Sequence, residues 1–150
     1  MSGPTVLVAV DDSPAGFAAA RQAIGLAAAL HGRLVAVNVL PPTWSAPSGP
    51  QLVGALRVVA GLARNQGVPV ELRTARGRVA EQLLAAARAV DAGYLVVGRP
   101  HHPGAGMPHL GRTAEQVLEF SEVPVVVVPV PAPALPCGLP ISGSPPRRSG

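Results

Sequence analysis

The fold of this chain is decided by the stretch Thr5-Val-Leu-Val-Ala-Val-Asp-Asp-Ser-Pro14. Its first six residues are almost continuously apolar, as expected of a parallel strand that is buried on both faces. Ser13 and Pro14 then predict a helix start, because a serine side chain caps the first turn and proline fits the first helical position. Gly32, which follows His31, is the predicted end of this helix. The stretch therefore predicts a buried strand that passes directly into a helix.

The same alternation continues along the rest of the chain. Short β-branched runs recur between longer segments rich in alanine and leucine, a pattern that indicates βαβ units and a parallel sheet. The predicted strands are residues 5–10, 33–39, 68–74, 94–97 and 123–130, and the predicted helices begin near residues 13, 52, 79 and 111. Five strands and four helices in strict alternation predict a doubly wound α/β sandwich of three layers.

Composition limits the size of the folded part and the nature of its core. A chain of 150 residues that is 48% hydrophobic fits a single domain with a core large enough to fold alone. Aromatic residues make up only 3%, so the core must consist of valine, leucine and alanine. We expect the domain to span residues 1–130. Residues 131–150 are rich in proline, glycine and serine, which predicts a disordered tail.

Charge and cysteine content argue against several classes of protein. The formal net charge of +4 includes Arg147 and Arg148 in the tail, and the other arginines are scattered without interleaved aromatic residues. A nucleic-acid surface usually shows a clustered basic stripe with stacking rings. Cys137 is the single cysteine, so an intrachain disulfide is impossible. Neither a signal peptide nor a span-length apolar stretch is present, and we expect a cytoplasmic protein that binds no nucleic acid and no membrane.

Two glycines thirteen residues apart carry the strongest functional signal. Gly98 closes the apolar run 94–97, and Gly111 opens the helical segment 111–118. Glycine lets the backbone approach a ligand closely, and a helix start offers unpaired N–H groups and a positive dipole end to an anion. The pair therefore predicts a phosphate site beside a strand end.

Several separate segments, matching in order and spacing, resemble the universal stress protein family. These are residues 6–14, 34–39 and 77–82, and the stretch from residue 95 through Gly111 to residue 129. The likeness covers about residues 5–130. It implies a Rossmann-like three-layer α/β/α sandwich whose five-stranded parallel sheet has the order 3-2-1-4-5, with four helices. In that order the ends of strands one and four are adjacent, which places Asp11 next to Gly98.

The ATP-binding branch of this family has a signature of glycine, two residues, glycine, nine residues, glycine and then serine or threonine. Gly98 and Gly111 match the first and third glycines, whereas His101 and Arg112 occupy the other two positions. The resemblance implies a site for ATP or another adenine nucleotide, with at most the Mg²⁺ that accompanies it. The residues assigned to this site are Val10, Asp11, Val39, Val97, Gly98, His101, Gly111, Arg112 and Thr113.

The two substitutions leave the ligand question open. The His101 side chain would fill space that phosphates otherwise occupy, whereas the Arg112 guanidinium can bind phosphate in a bidentate manner. Asp11 has two interpretations as well, a ligand contact or a carboxylate that only favours the helix start, a role that Asp12 and Ser13 can fill without it. The alternative to a nucleotide-binding regulatory protein is a homodimeric interaction module whose phosphate loop is degenerate.

Catalysis and metal binding are not expected. The Ser-Gly-Gly-rich loop that activates ATP in related folds is absent after the first strand, and Ser13 is interpreted as a cap rather than a nucleophile. His101, His102 and His109 lie in one loop without a cysteine or carboxylate to complete a metal site. Trp44 is interpreted as a packing or partner contact.

The last predicted strand indicates how copies of the chain associate. It is the apolar segment that begins at Val123 and ends at Val130. An exposed edge strand of this kind is an aggregation hazard unless a copy of itself covers it. The resembling family often dimerises through this strand, so we expect a homodimer, although Pro124 and Pro129 limit the number of ladder bonds.

Overall fold

The computed structural model describes residues 3–40, 42, 54–100 and 110–130. Within these residues strands and helices alternate strictly, as the sequence predicts. The strands are β1 Thr5–Ala9, β2 Arg33–Leu40, β3 Val70–Arg76, β4 Tyr94–Arg99 and β5 Val125–Pro129. The helices are α1 Pro14–Ala29, α2 Gly54–Asn65, α3 Val79–Ala89 and α4 Arg112–Phe120.

All strand pairs are parallel, and the sheet has the order β3-β2-β1-β4-β5. This confirms the Rossmann-like three-layer fold. The order reverses between β1 and β4, so the chain leaves these two neighbours in opposite directions. A crevice opens at their carboxyl ends, where ligands bind in folds of this type.

The two faces of the sheet are covered by different helices. Alternate residues of β1 show the division, because Val6 and Val8 pack with α1 and α2, whereas Leu7 packs with α3 and α4. The large side chains that are fully buried in the described part of the chain are all leucine or valine. Apart from Ile24, the buried residues of α1 are small, namely Ala15, Gly16, Ala19, Ala20, Ala23 and Ala27. The aromatic-poor core predicted from composition is therefore confirmed for the described residues.

The end of α1 differs from the sequence-based prediction. The residue in the left-handed region is His31, with φ of 56°, and not Gly32. The N–H of His31 donates to the Ala28 carbonyl and that of Gly32 to the Ala27 carbonyl, which is a Schellman arrangement. Gly32 is needed for another reason, since a Cβ there would overlap the Pro4 carbonyl oxygen.

The other differences from the predicted bounds are shifts of one or two residues. β1 ends at Ala9, although the N–H of Val10 still donates to the Val37 carbonyl at 2.8 Å, and β3 begins at Val70. Trp44, Cys137 and the predicted tail lie outside the described residues. Among the helices that the structure describes, none combines the length and hydrophobicity needed to cross a bilayer.

Candidate functional site

A cavity of about 250 Å³ lies at the carboxyl edge of the sheet, between the ends of β1 and β4. Helices α1, α3 and α4 all begin beside it. Its lining residues are Ala9, Asp11, Ser13, Ala15, Gly16, Val79, Val97, Gly98, Pro100, Leu110, Gly111, Arg112, Thr113 and Ala114. Asp11 and Gly98 therefore line the same cavity, as expected from strands that are neighbours at the switch point.

Of the nine residues assigned to the site from sequence, six line this cavity, two do not, and one lies outside the described residues. The six are Asp11, Val97, Gly98, Gly111, Arg112 and Thr113. Val10 is buried in the core beneath α1, and Val39 is a half-buried residue of β2 that pairs with Ala75; neither lines the cavity. His101 lies outside the described residues.

Gly98 forms one wall of the cavity, and the packing of α1 explains why it is glycine. A Cβ at this position would overlap the Ala15 carbonyl oxygen and lie 2.7 Å from the Ala15 carbonyl carbon. The first turn of α1 thus crosses β4 in backbone contact at Gly98. The sequence predicted a glycine for ligand approach, and the structure supplies a packing reason that operates without a ligand.

The start of α4 forms the opposite wall and can bind an anion. Gly111 is the N-cap, with φ of 87°, and no side chain caps the helix. Its carbonyl accepts the first intrahelical bond, from the N–H of Glu115 at 3.1 Å. The preceding N–H groups, those of Arg112, Thr113 and Ala114, have no partner within the described residues. Unpaired donors together with the positive end of the helix dipole favour a bound phosphate or carboxylate.

Arg112 adds an exposed positive charge to this helix start. Its side chain is exposed, and no ion pair joins it to another described residue. A guanidinium can reach an anion that the backbone N–H groups already hold, because its fork of donors matches two phosphate oxygens. Thr113, half-exposed beside it, lines the cavity and brings a hydroxyl to the same wall.

Asp11 lies at the mouth of the cavity and is engaged through only one of its oxygens. Its Oδ1 accepts from the Ser13 N–H at 2.9 Å and from the Ser13 hydroxyl at 2.5 Å. The Ser13 Oγ in turn accepts from the Gly16 N–H at 3.0 Å. The expectation that Ser13 would cap α1 is met. Asp11 itself supports this cap through its contacts with Ser13. The helix start is therefore not stabilised by Asp12 and Ser13 alone, as one interpretation of the sequence allowed.

Gly16 belongs to this arrangement and was missed by sequence reasoning. A Cβ at Gly16 would overlap Asp11 Oδ1 and approach the Asp11 backbone to 2.9 Å. Glycine is unfavourable within a helix, so its presence in the first turn of α1 was a usable signal. The apolar part of the lining, to which Val79 and Leu110 contribute, was also not predicted.

The described residues offer no cluster of three or more histidine, cysteine, aspartate or glutamate side chains suited to a metal ion. The donors that the cavity does present are peptide N–H groups, hydroxyls and a guanidinium. Such donors recognise an anion rather than a cation.

Comparisons with known proteins agree with this fold. The family model "Universal stress protein family" matches residues 4–129. A universal stress protein solved in complex with cAMP is 25% identical, with a TM-score of 0.69, and the match covers 87% of this chain and 100% of that one. A family member from Burkholderia pseudomallei is 29% identical, with a TM-score of 0.63 and coverages of 84% and 96%.

A third solved structure, the universal stress protein from Archaeoglobus fulgidus in complex with dAMP, is 22% identical with a TM-score of 0.67. The match covers 85% of this chain and 99% of that one. No curated protein sequence is significantly similar to the chain. Because the family model covers most of the sequence and the strand order agrees, the chain belongs to the universal stress protein family.

Proposed function

We propose that this protein is a regulatory protein that binds an adenine nucleotide in the cavity between β1 and β4. The observation that carries the proposal is the start of α4, where Arg112, Thr113 and Ala114 present unpaired N–H groups to a cavity that Asp11 also lines. A nucleotide combines a phosphate for the helix start with hydroxyl and amino donors for a carboxylate.

In this proposal, different residues of the cavity contact different groups of the nucleotide. The phosphate lies against Gly111 and the first turn of α4, where the Arg112 guanidinium strengthens its binding. The sugar, which is bonded directly to the phosphate, reaches Asp11 on the other side of Gly98. Val79 and Val97 supply apolar surface between these polar ends. The described part of the cavity measures about 250 Å³, slightly below the roughly 300–1,000 Å³ of sites that enclose drug-sized ligands.

Known relatives support the choice of nucleotide. Solved universal stress proteins carry cAMP in one case and dAMP in another. The more specific proposal is that the nucleotide is ATP with its Mg²⁺. In that case the outer phosphates extend beyond the described cavity. The proposed role is regulation through occupancy of the site, because no nucleophile–base pair lines the described part of the cavity apart from the capping pair Asp11 and Ser13.

The direct test is calorimetric titration of the purified protein with AMP, cAMP, ADP and ATP, the last two with and without Mg²⁺. We expect binding of at least one of them, and we expect Arg112→Glu to weaken it at least tenfold by placing a like charge beside the phosphate. Arg57→Glu on α2 is the matched control, because this substitution changes the net charge equally. Arg57 is exposed and does not line the cavity. Absence of binding at millimolar concentration would reject the proposal.

The second candidate function is an interaction module without a nucleotide. Gly98 favours it, because the contact with Ala15 explains this glycine without a ligand. In that case adding nucleotide leaves the thermal midpoint unchanged, whereas a ligand that binds the native state raises it by mass action. Release of phosphate from ATP well above a buffer control would instead indicate an enzyme and contradict both candidates.

A further inference from the structure

Arg99 is the last residue of β4 and lies at the rim of the cavity between β1 and β4. Its two neighbours in sequence, Gly98 and Pro100, both line the cavity, whereas Arg99 is not a lining residue. Val97 lines the cavity from the face of the sheet toward α3 and α4, and strand alternation places Arg99 on the same face, about 6–7 Å farther along. Pro100 also lies beside the start of α4, because a Cβ added at Gly111 would be 3.5 Å from the Pro100 Cδ. Arg99 therefore lies next to the proposed phosphate position and outside it.

Arg99 differs from the other partly buried arginines in having no partner. Among the described residues three arginines are half-buried, namely Arg33, Arg73 and Arg99. Arg33 and Arg73 both donate to the Glu71 carboxylate. Arg99 makes no hydrogen bond or ion pair within the described part of the chain. Withdrawing a guanidinium from water without an anion beside it costs free energy, so the fold alone does not account for an arginine at this position. A bound anion accounts for it.

The other cations near the cavity are placed differently. Arg112 is exposed at the first turn of α4, beside the phosphate position itself. Arg78, which precedes α3, has a side chain that is 83% exposed and lies 3.6 Å from Glu81. Arg99 alone among these three is both partly withdrawn from water and unpaired, so an anion beside it contributes the most. The outer phosphates of a longer nucleotide extend beyond the described cavity, and the rim at Arg99 is adjacent to the start of α4.

We propose that Arg99 forms a second phosphate subsite, which binds the outer phosphate group of a nucleoside diphosphate or triphosphate. This inference rests on the proposed function and deepens it by naming the residue that responds to the number of phosphates. The first phosphate binds the N–H groups at the start of α4. The next phosphate binds the Arg99 guanidinium, whose parallel N–H donors match two phosphate oxygens. A mononucleotide, such as the cAMP or dAMP with which two relatives were solved, fills only the first of these positions in this chain.

The test measures the affinities of AMP and ADP by calorimetry in the presence of EDTA, so that the cations at the site are those of the protein. The wild type should bind ADP about tenfold more tightly than AMP, the factor typical of a charge-assisted hydrogen bond. Arg99→Gln should lower the ADP affinity about tenfold and leave the AMP affinity within about twofold. A wild-type ratio near one, or a loss of equal size for both nucleotides in Arg99→Gln, overturns the inference.

Two further variants separate a phosphate contact from a general effect of charge and from a structural role. Arg78→Gln removes the same charge from an exposed position near the cavity and should leave the ratio of ADP to AMP affinity within about twofold of wild type. Without ligand, Arg73→Gln should lower the thermal midpoint, because Arg73 has Glu71 as a partner, whereas Arg99→Gln should not lower it. A change of the ratio in Arg78→Gln as large as that in Arg99→Gln contradicts the subsite. An equal loss of stability in Arg99→Gln and Arg73→Gln contradicts it as well.

Inorganic pyrophosphate and phosphate distinguish failure of this inference from failure of the proposed function, because neither carries a base or a sugar. Titrations followed by amide NMR should show that the wild type binds pyrophosphate about tenfold more tightly than phosphate, and that Arg99→Gln binds the two with nearly equal affinity. A wild type that binds pyrophosphate in this way and no nucleotide supports the subsite and rejects the proposed function alone. AMP and ADP bound with equal affinity retain the proposed function and overturn the inference. A wild type that binds neither nucleotide nor pyrophosphate overturns both.

Discussion

At the scale of single residues, Gly98 shows how one missing carbon shapes both the fold and the site. The backbone of α1 at Ala15 occupies the space in which a Cβ of residue 98 would lie. Neither partner in this contact is a flexible side chain, so no rotamer change can relieve an overlap. Gly98 therefore sets the distance between α1 and β4, and with it the width of the cavity.

We predict that Gly98→Ala destabilises the protein by about 3 kcal/mol, the upper part of the range for forced overpacking. Gly61→Ala is the matched control, because Gly61 lies within α2 and a methyl group added there would meet no neighbour within 4 Å. The control should stabilise the protein by about 0.5–1 kcal/mol through helix propensity. Urea unfolding monitored by circular dichroism measures both. A loss below about 1 kcal/mol for Gly98→Ala would show that α1 can move away from the sheet.

The residues that sequence reasoning missed escaped it for different physical reasons. Gly98 and Gly111 were found because their spacing is visible along the chain. Asn38 acts on a residue that lies near it only after folding, because its side-chain amide donates to the Val10 carbonyl across 28 positions of sequence. Gly16 is close to Asp11 in sequence, and its place in the first turn of α1 was a signal that could have been used. The contact between Ser13 and Asp11 is local in sequence. The sequence still does not reveal that both Ser13 donors bind the same carboxylate oxygen of Asp11.

At the scale of elements, hydrophobic pattern was sufficient to predict every strand and helix of the described chain. The pattern is strong because the parallel strands are buried on both faces, which gives continuous apolar runs that stand out from the helices. The ends of the helices were less predictable. α1 and α3 close with His31 and Asp91 at positive φ, and a non-glycine residue in this conformation gives little warning in a sequence.

Strands β2 and β3 share a cluster of charged side chains on the face of the sheet toward α3. Glu71 of β3 lies between Arg73, whose Nε donates to it at 2.5 Å, and Arg33 of β2, whose guanidinium donates at 3.2 Å. The hydrogen bond from Arg73 is the main cause that lowers the pKa of Glu71 below its ordinary value of 4.5, and Arg33 adds to it, while burial opposes them. These side chains are about 40% exposed, so solvent screening keeps their contribution small.

A carboxyl group whose pKa is lowered by folding stabilises the native state above its unfolded pKa. That contribution is lost as the pH falls through the folded value. We therefore predict that Glu71→Gln lowers the free energy of unfolding by about 0.5 kcal/mol at pH 7, and that the difference from wild type disappears as the pH falls well below 4.5. Urea unfolding across this pH range is the measurement. Glu119→Gln, which removes an exposed carboxylate from α4, is the matched control for the change of net charge. A difference for Glu71→Gln that persists in acid would contradict the ionic explanation.

At the scale of the whole molecule, the two edges of the sheet differ in a way that bears on assembly. The β3 edge carries Arg73 and the exposed Thr74, and charged or polar side chains on an edge strand discourage pairing with another sheet. The β5 edge consists of valine residues and Pro129, with β4 as its neighbour within the described sheet. Beside it, α4 exposes Leu118 and Phe120, the latter at 62%. An apolar edge next to exposed apolar side chains is suited to burial against a second copy.

We predict that the protein is a homodimer through β5, with a solution mass twice the 15.1 kDa of one chain. Val127→Lys places a charge on the half-buried part of β5 and should shift the mass to that of a monomer, because pairing would bury an uncompensated ammonium group. Thr74→Lys makes the same addition on the β3 edge and should leave the dimer intact. Light scattering coupled to gel filtration measures the masses, and circular dichroism verifies that each variant is folded.

The position of α4 links this assembly to the nucleotide site. The same helix begins at the cavity, with Gly111 and Arg112, and ends with Phe120 beside the start of β5. A phosphate bound at its first turn can therefore influence the surface that a second copy covers. A wild type that remains a monomer at all concentrations, with and without AMP, would contradict the dimer. It would also exclude a coupling of nucleotide binding to dimerisation through α4. A mass that depends on AMP would instead place the regulatory output at the β5 edge.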